Sequence, residues 1–172
     1  MNGFIQVVLF ALVNLFIVKP VNIVINLIQD TMTKYITRLT KEWLQHGKII
    51  LAVDFDSTLS PWETIDNAED IERCIALVKQ AQYTGSYIVI FTACNPERYS
   101  EILKHCESKG IHVDAINENP IVLQYGNQRK IYFNHLLDDR GGFLQAMDIL
   151  ETAMYKVRGI RITDNVNPNN AE

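Results

Sequence analysis

The sequence has little of what builds a zinc site, a disulfide framework or a nucleic-acid-coating surface. Its three cysteines, Cys74, Cys94 and Cys106, form no CxxC pair, and an odd number cannot pair fully within one chain. A reducing compartment is the simpler reading. The four histidines, His46, His105, His112 and His135, lie far apart and match no zinc spacing, so each reads as a surface or core residue. A large excess of either charge is also absent: the net charge is -4, and no basic block follows the N-terminal region. That argues against an extended nucleic-acid-binding surface, whose affinity rests on many phosphate contacts. It leaves room for one small phosphorylated ligand. No internal repeat is present. Apolar residues, by contrast, make up 48% of the 172 residues. That is enough for one domain with a real core and too much for a disordered chain.

The first thirty residues stand apart. Residues 3–28 are apolar, interrupted by Gln6, Asn14, Lys19, Pro20, Asn22 and Asn26. No basic n-region or small-residue cleavage site marks a signal peptide. The unbroken part, Gly3 to Val18, is slightly short for a bilayer span of about 20 residues, but suits an anchor or an interfacial segment. Lys19, Lys34, Arg38, Lys41 and Lys48 follow it, so a spanning reading puts the remainder in the cytoplasm. The competing reading starts the protein at Met32 and treats residues 1–31 as an over-extended reading frame. The expected organisation is a hydrophobic segment (1–31), a folded domain (32–160) and a polar, disordered tail (161–172).

From Pro20 a helix is expected, since proline suits a first turn. Val24, Ile28, Met32, Tyr35 or Ile36, Leu39 and Trp43 recur at helical spacing, and Gly47 ends it. Lys48–Val53 reads as a strand covered on both faces. Asp66–Asn67 reads as the cap of a second helix, with Glu69 and Asp70 in its first turn and Ile71, Cys74 or Ile75, Val78 and Ala81 inward. Tyr87–Phe91 reads as a second strand. Asn95-Pro96 opens a helix with Tyr99, Ile102, Leu103 and Cys106 inward. Ile111–Ile116 and Ile131–Leu137 read as further strands, and Gly142–Tyr155 as a last amphipathic helix. Strands alternating with helices imply an α/β fold with a doubly wound, mostly parallel sheet. Ligands of such sheets sit beyond the carboxyl ends of the strands.

Polar residues gather at those ends: Asp54 and Asp56 after the first strand, Thr92 after the second, Asp138 and Asp139 after the fourth, with Lys130 just before the fourth. Four carboxylates at one edge repel unless a cation joins them. Oxygen ligands with few histidines favour Mg2+. In this order, DFDST (Asp54–Thr58), IVIFTA (Ile88–Ala93), Lys130 and LLDDR (Leu136–Arg140) resemble the four motifs of the haloacid dehalogenase-like (HAD) hydrolases. The resemblance covers about Lys48 to Tyr155, and is closest to small members from bacteria and phages. It implies a Rossmann-like core. The gaps between Asp54 and Thr92 and between Ile116 and Lys130 are too short for a cap domain, which needs about fifty residues for a core of its own. The expectation is a capless protein with an extra N-terminal hydrophobic helix and an open site. Such a site admits a nucleotide, a nucleic-acid end or a phosphoprotein.

The resemblance further implies a magnesium-dependent phosphatase. Asp54 is its nucleophile, splitting a very slow hydrolysis into two phosphoryl transfers, and Asp56 its general acid and base. Mg2+ is held by the Asp54 carboxylate, the backbone carbonyl of Asp56 and an acid at the fourth strand end. Asp138 is the preferred direct ligand, with Asp139 behind a water or paired with Arg140. Thr92, Lys130 and backbone N–H groups near Phe55 and Ala93 bind the phosphoryl group. Each residue also has a plainer reading. Asp54 and Asp56 form a turn, Asp138 and Asp139 cap the last helix, Lys130 joins Arg129 in a solvated basic pair, and Cys94 is a small packed residue. Asn95 reads as a helix cap, Arg98 as a candidate substrate contact, and Trp62 as a flap or packing residue. Three rival functions remain. A phospho-aspartate receiver needs the reverse order of acids. A dehalogenase lacks the second acid. An inactive membrane-tethered interaction domain does not need four intact motifs.

Overall fold

The computed structural model of the chain describes residues 13–62, 68–119 and 130–166. The chain divides into two compact units, Met1–Tyr35 and Ile36–Glu172. In the first, a π-helical turn, Asn14–Val18, runs into helix α1, Lys19–His46, which continues into the second. No helix among the described residues is long and apolar enough to cross a membrane. In the second unit Ile36, Leu39 and Trp43 of α1 are buried, whereas Tyr35 is exposed, so Ile36 carries the stripe. Gly47, at φ +72°, stops the helix in a left-handed conformation that costs glycine little.

Four parallel strands come next: β1 (Ile50–Val53), β2 (Tyr87–Ile90), β3 (Ala115–Ile116) and β4 (His135–Leu137), in the spatial order β3-β2-β1-β4. The architecture is α/β with an all-parallel sheet, as the strand–helix alternation implies. All four residues of β1 are buried, which is why its apolar run does not alternate. Helix α2 (Ala68–Tyr83) joins β1 to β2 and packs against the last helix, α4 (Phe143–Val166), which also packs on β4. Arg73 of α2 reaches Asp148 at 2.6 Å and Glu151 at 2.9 Å on α4. These partly exposed pairs add little energy but fix the register of the two helices. A 3₁₀ turn, Pro96–Arg98, leads into α3 (Tyr99–Ser108).

The structure trims several sequence expectations. The third and fourth apolar runs are longer than the strands they form. Asp114 Oδ2 accepts the Ile88 N–H at 2.7 Å, and Asn134 Oδ1 accepts the Ile50 N–H at 2.8 Å. Each side chain takes the acceptor place of a strand carbonyl, and the N–H of the same residue makes the first backbone bond, to the Ile88 and Ile50 carbonyls at 2.9 Å each. Leu103 is 43% exposed. Ile102 and Cys106, four residues apart, are the buried face of α3, and Leu103 falls beside it. Asn95 stands at the start of the 3₁₀ turn, but its side chain caps nothing. Its carbonyl instead accepts the Arg98 N–H at 2.9 Å. Helix α4 continues to Val166, into the stretch expected as a tail. The expected Asp66–Asn67 cap lies outside the described residues.

Candidate active site

Strand register assembles the site. Val53 pairs with Ile90 on one side and Leu137 on the other, and Ile90 pairs with Ile116. The next residue of each strand, Asp54, Phe91, Asp138 and Asn117, therefore emerges at one carboxyl edge. Strand order reverses between β1 and β4, so Asp54 and Asp138 flank the topological switch point where open α/β sheets bind ligands. The Asp54 N–H donates to the Leu137 carbonyl at 2.9 Å and locks the two strand ends together.

Asp54, Asp138 and Asp139 each bring one carboxylate oxygen within 4.8 Å of the others. Among the described residues no ion pair reaches any of the three, including the one expected between Asp139 and Arg140. Burial, then the Asp138 and Asp139 charges, push the Asp54 carboxyl up from 3.8 to about 6, against the hydrogen bonds it accepts from the Phe55 N–H and Thr58. Three half-buried acids with no ion-pair partner among the described residues, although Arg98 and Arg140 line the same cavity, fit a hard divalent cation bound through oxygen. Asp138 Oδ1 accepts the Arg140 N–H at 2.8 Å, a local turn bond made before the last helix begins at Phe143 and therefore not the helix cap expected of it.

The chain after β1 turns sharply. The Phe55 carbonyl accepts the N–H groups of Thr58, Leu59 and Ser60, and Ser57 sits at φ +64°. Phe55 is buried, with its ring edge-to-face on His105 at 5.3 Å. Its N–H is next to the Asp54 carboxylate and lowers that group's pKa. Thr58, fully buried, links both ends of the acid cluster. Its hydroxyl donates to Asp54 Oδ2 at 3.3 Å and accepts the Asp139 N–H at 3.2 Å.

Asp54, Asp138 and Asp139 line a cavity of about 450 Å³, and Asp56, Thr92 and Ala93 line it too. A wider groove of about 630 Å³ beside Lys41, Leu44 and Lys156 gathers no acids among the described residues. Asp56 does not join the acid cluster. Both its carboxylate oxygens accept from Arg98, at 3.1 Å each, and the Arg98 guanidinium lies 4.9 Å over the Trp62 ring. Thr92 is held by Asn117, whose Oδ1 accepts the Thr92 N–H at 2.9 Å and whose Nδ2 donates to the Thr92 carbonyl. The Thr92 hydroxyl accepts the Cys94 N–H at 3.2 Å. Lys130 is exposed and absent from the cavity wall; its carbonyl accepts from Asn119 at 3.3 Å.

The acids, Thr92 and Ala93 named from the sequence line one cavity, and sequence reading misses the residues that hold them. Asn117 signals itself only as an asparagine after a strand, at φ +52°, a conformation asparagine tolerates. Thr58 lies inside the DFDST stretch, but nothing in its spacing assigns it the link to Asp139.

No family model matches the chain, and no curated protein does. A solved structure from Bacteroides thetaiotaomicron, described as a conserved protein, is similar over 55% of this chain and 78% of its own. Its identity is 21% and its TM-score 0.45, values at which the likeness carries no argument.

Proposed function

We propose that the protein is a phosphatase that hydrolyses phosphate monoesters through an aspartyl-phosphate on Asp54, with Mg2+ as cofactor, as its resemblance to the HAD hydrolases implies. One observation supports this reading above the others: the Asp54 carboxylate stands at the switch point of a parallel sheet, within 4.8 Å of two further carboxylates. Asp54, Asp138 and Asp139 hold the cation, joined by the Asp56 carbonyl. When bound, Mg2+ supplies the positive charge that lowers repulsion between phosphate and nucleophile.

The chain's own residues do the rest. A carboxylate oxygen of Asp54 forms a bond to phosphorus as the ester P–O bond breaks, and Asp56 gives its proton to the leaving oxygen. A water then adds to phosphorus and gives its proton to Asp56, the P–O bond to Asp54 breaks, and phosphate leaves. Thr92, with its backbone clamped by Asn117, orients a phosphoryl oxygen, and the N–H groups near Ala93 add donors. A charge-neutralising role for Lys130 rests on the resemblance alone, since Lys130 is exposed and does not line the cavity. Three free thiols suit a reducing, cytoplasmic setting. Contact of residues 3–28 with a membrane is compatible with this reading and adds nothing to the chemistry.

The test is turnover of an aryl phosphate with Mg2+, together with mass spectrometry of Asp54. Activity that persists in excess chelator rules out the metal, and phosphate found elsewhere rules out the nucleophile.

A further inference from the structure

Arg98 lines the cavity and has no part in the reaction written above. Its fork takes both oxygens of Asp56, Nη1 on Oδ2 and Nη2 on Oδ1, each at 3.1 Å. Its only other acidic neighbour among the described residues is Glu101, at 4.0 Å. Pro96 opens the 3₁₀ turn that carries Arg98, and the half-exposed Trp62 ring supports the guanidinium from one side. The arrangement faces the cavity and remains open to solvent, with 29% of the Arg98 side chain exposed.

This geometry constrains the phosphatase reaction. An Asp56 oxygen held in the fork is not free to meet a leaving group. The fork must open during turnover, and a guanidinium that gives up a carboxylate is then free to take another planar or tetrahedral oxyanion in its place. The phosphoryl group being transferred lies with Asp54 and Thr92. Asp56 acts on the other side of the breaking bond, so the oxyanion that replaces it at Arg98 belongs to the leaving group.

We infer that Arg98 is a specificity-determining residue. It selects phosphate monoesters whose leaving group carries a second anionic group, and it releases Asp56 by exchanging that carboxylate for the substrate's anion. A neutral leaving group offers no exchange and leaves Asp56 engaged. The inference rests on the phosphatase reading and names the substrate class for the same site.

Two matched pairs test it with Mg2+ present. 3-Phosphoglycerate is compared with glycerol 3-phosphate, and adenosine 3′,5′-bisphosphate with adenosine 5′-monophosphate. Exchange of one fork for another predicts that the wild-type protein favours the anionic member of at least one pair by about tenfold or more in kcat/KM. Arg98→Gln should bring that ratio close to one, with its melting temperature recorded to show that it folds. Arg98→Lys keeps the charge but not the fork, and should lose several-fold of the preference; it decides the matter if the glutamine variant does not fold. No preference in either pair, or a preference unchanged in the variants, overturns the inference. So does turnover of an aryl phosphate with none of these four esters accepted. An absence of turnover even with the aryl phosphate overturns the phosphatase reading itself, and this inference with it.

Discussion

Asp54→Asn should stabilise the protein while abolishing its activity. In the metal-free fold, burial and two neighbouring carboxylates raise the Asp54 carboxyl from 3.8 to about 6. Fully expressed, that difference is worth about 3 kcal/mol. The cavity is open to water, which screens it to about 1–2 kcal/mol. The folded value lies above the unfolded one, so the folded chain keeps its proton longer as pH rises. Without metal, stability therefore falls between about pH 4 and pH 6, and the full penalty is present above that window. Below about pH 4 both states hold the proton and Asp54 costs nothing. The amide has no charge to bury or repel, and it keeps an oxygen for the Phe55 N–H and the Thr58 hydroxyl. In chelator at pH 7.5 the variant should melt about 2–8 °C above wild type, and the gap should close as the pH approaches 4. Added Mg2+ should raise the melting temperature of wild type more than that of the variant. Thermal melts at both pH values, with and without Mg2+, read all of this. A variant less stable than wild type at pH 7.5 in chelator, or a gap independent of pH, would refute the electrostatic account of the cluster.

Asp56→Asn leaves Asp54 able to attack and loses proton transfer, so turnover should fall by about 10²–10⁴-fold. With acetyl phosphate, whose leaving group needs no proton, phospho-Asp54 should accumulate and be visible by mass spectrometry. Its absence, or phosphate on another residue, would mean that the roles are wrongly assigned. Asn117→Ala removes both bonds to the Thr92 backbone and puts alanine at φ +52°, so urea denaturation should show a loss of about 2–3 kcal/mol. Asn117→Gly, free of the conformational cost, should lose less; equal losses would show that backbone strain plays no part. Thr58→Val keeps the shape but orphans the Asp139 N–H, and should cost about 1–2 kcal/mol and weaken Mg2+ stabilisation, whereas Thr58→Ser should not. A chain beginning at Met32 should keep one cooperative melt, because Ile36–Glu172 is compact by itself; aggregation would show that the first segment completes the fold.

Elements with strong local signals are legible in the sequence. Helix α1 runs from a proline-bearing first turn to Gly47. Strands β1 and β2 are apolar, β-branched runs between polar turns. The acids and Thr92 are legible because they come directly after such runs. Strands β3 and β4 are read too long. An apolar pattern cannot reveal that the Asp114 and Asn134 side chains occupy hydrogen-bonding sites on neighbouring strands. The end of α4 is misplaced for a related reason: a polar composition does not by itself stop a helix.

By itself the sequence determines an α/β chain with carboxylates at the ends of its first and fourth strand segments, since the burial of apolar runs and the polarity of the residues after them are local properties. Only the tertiary structure decides which of these groups meet. Placing β4 beside β1 brings Asp138 and Asp139 to Asp54 across more than eighty positions of chain. The same folding sets Arg98 on Asp56 and Asn117 behind Thr92. Strand order and loop direction make these contacts, and periodicity along the chain carries no record of either.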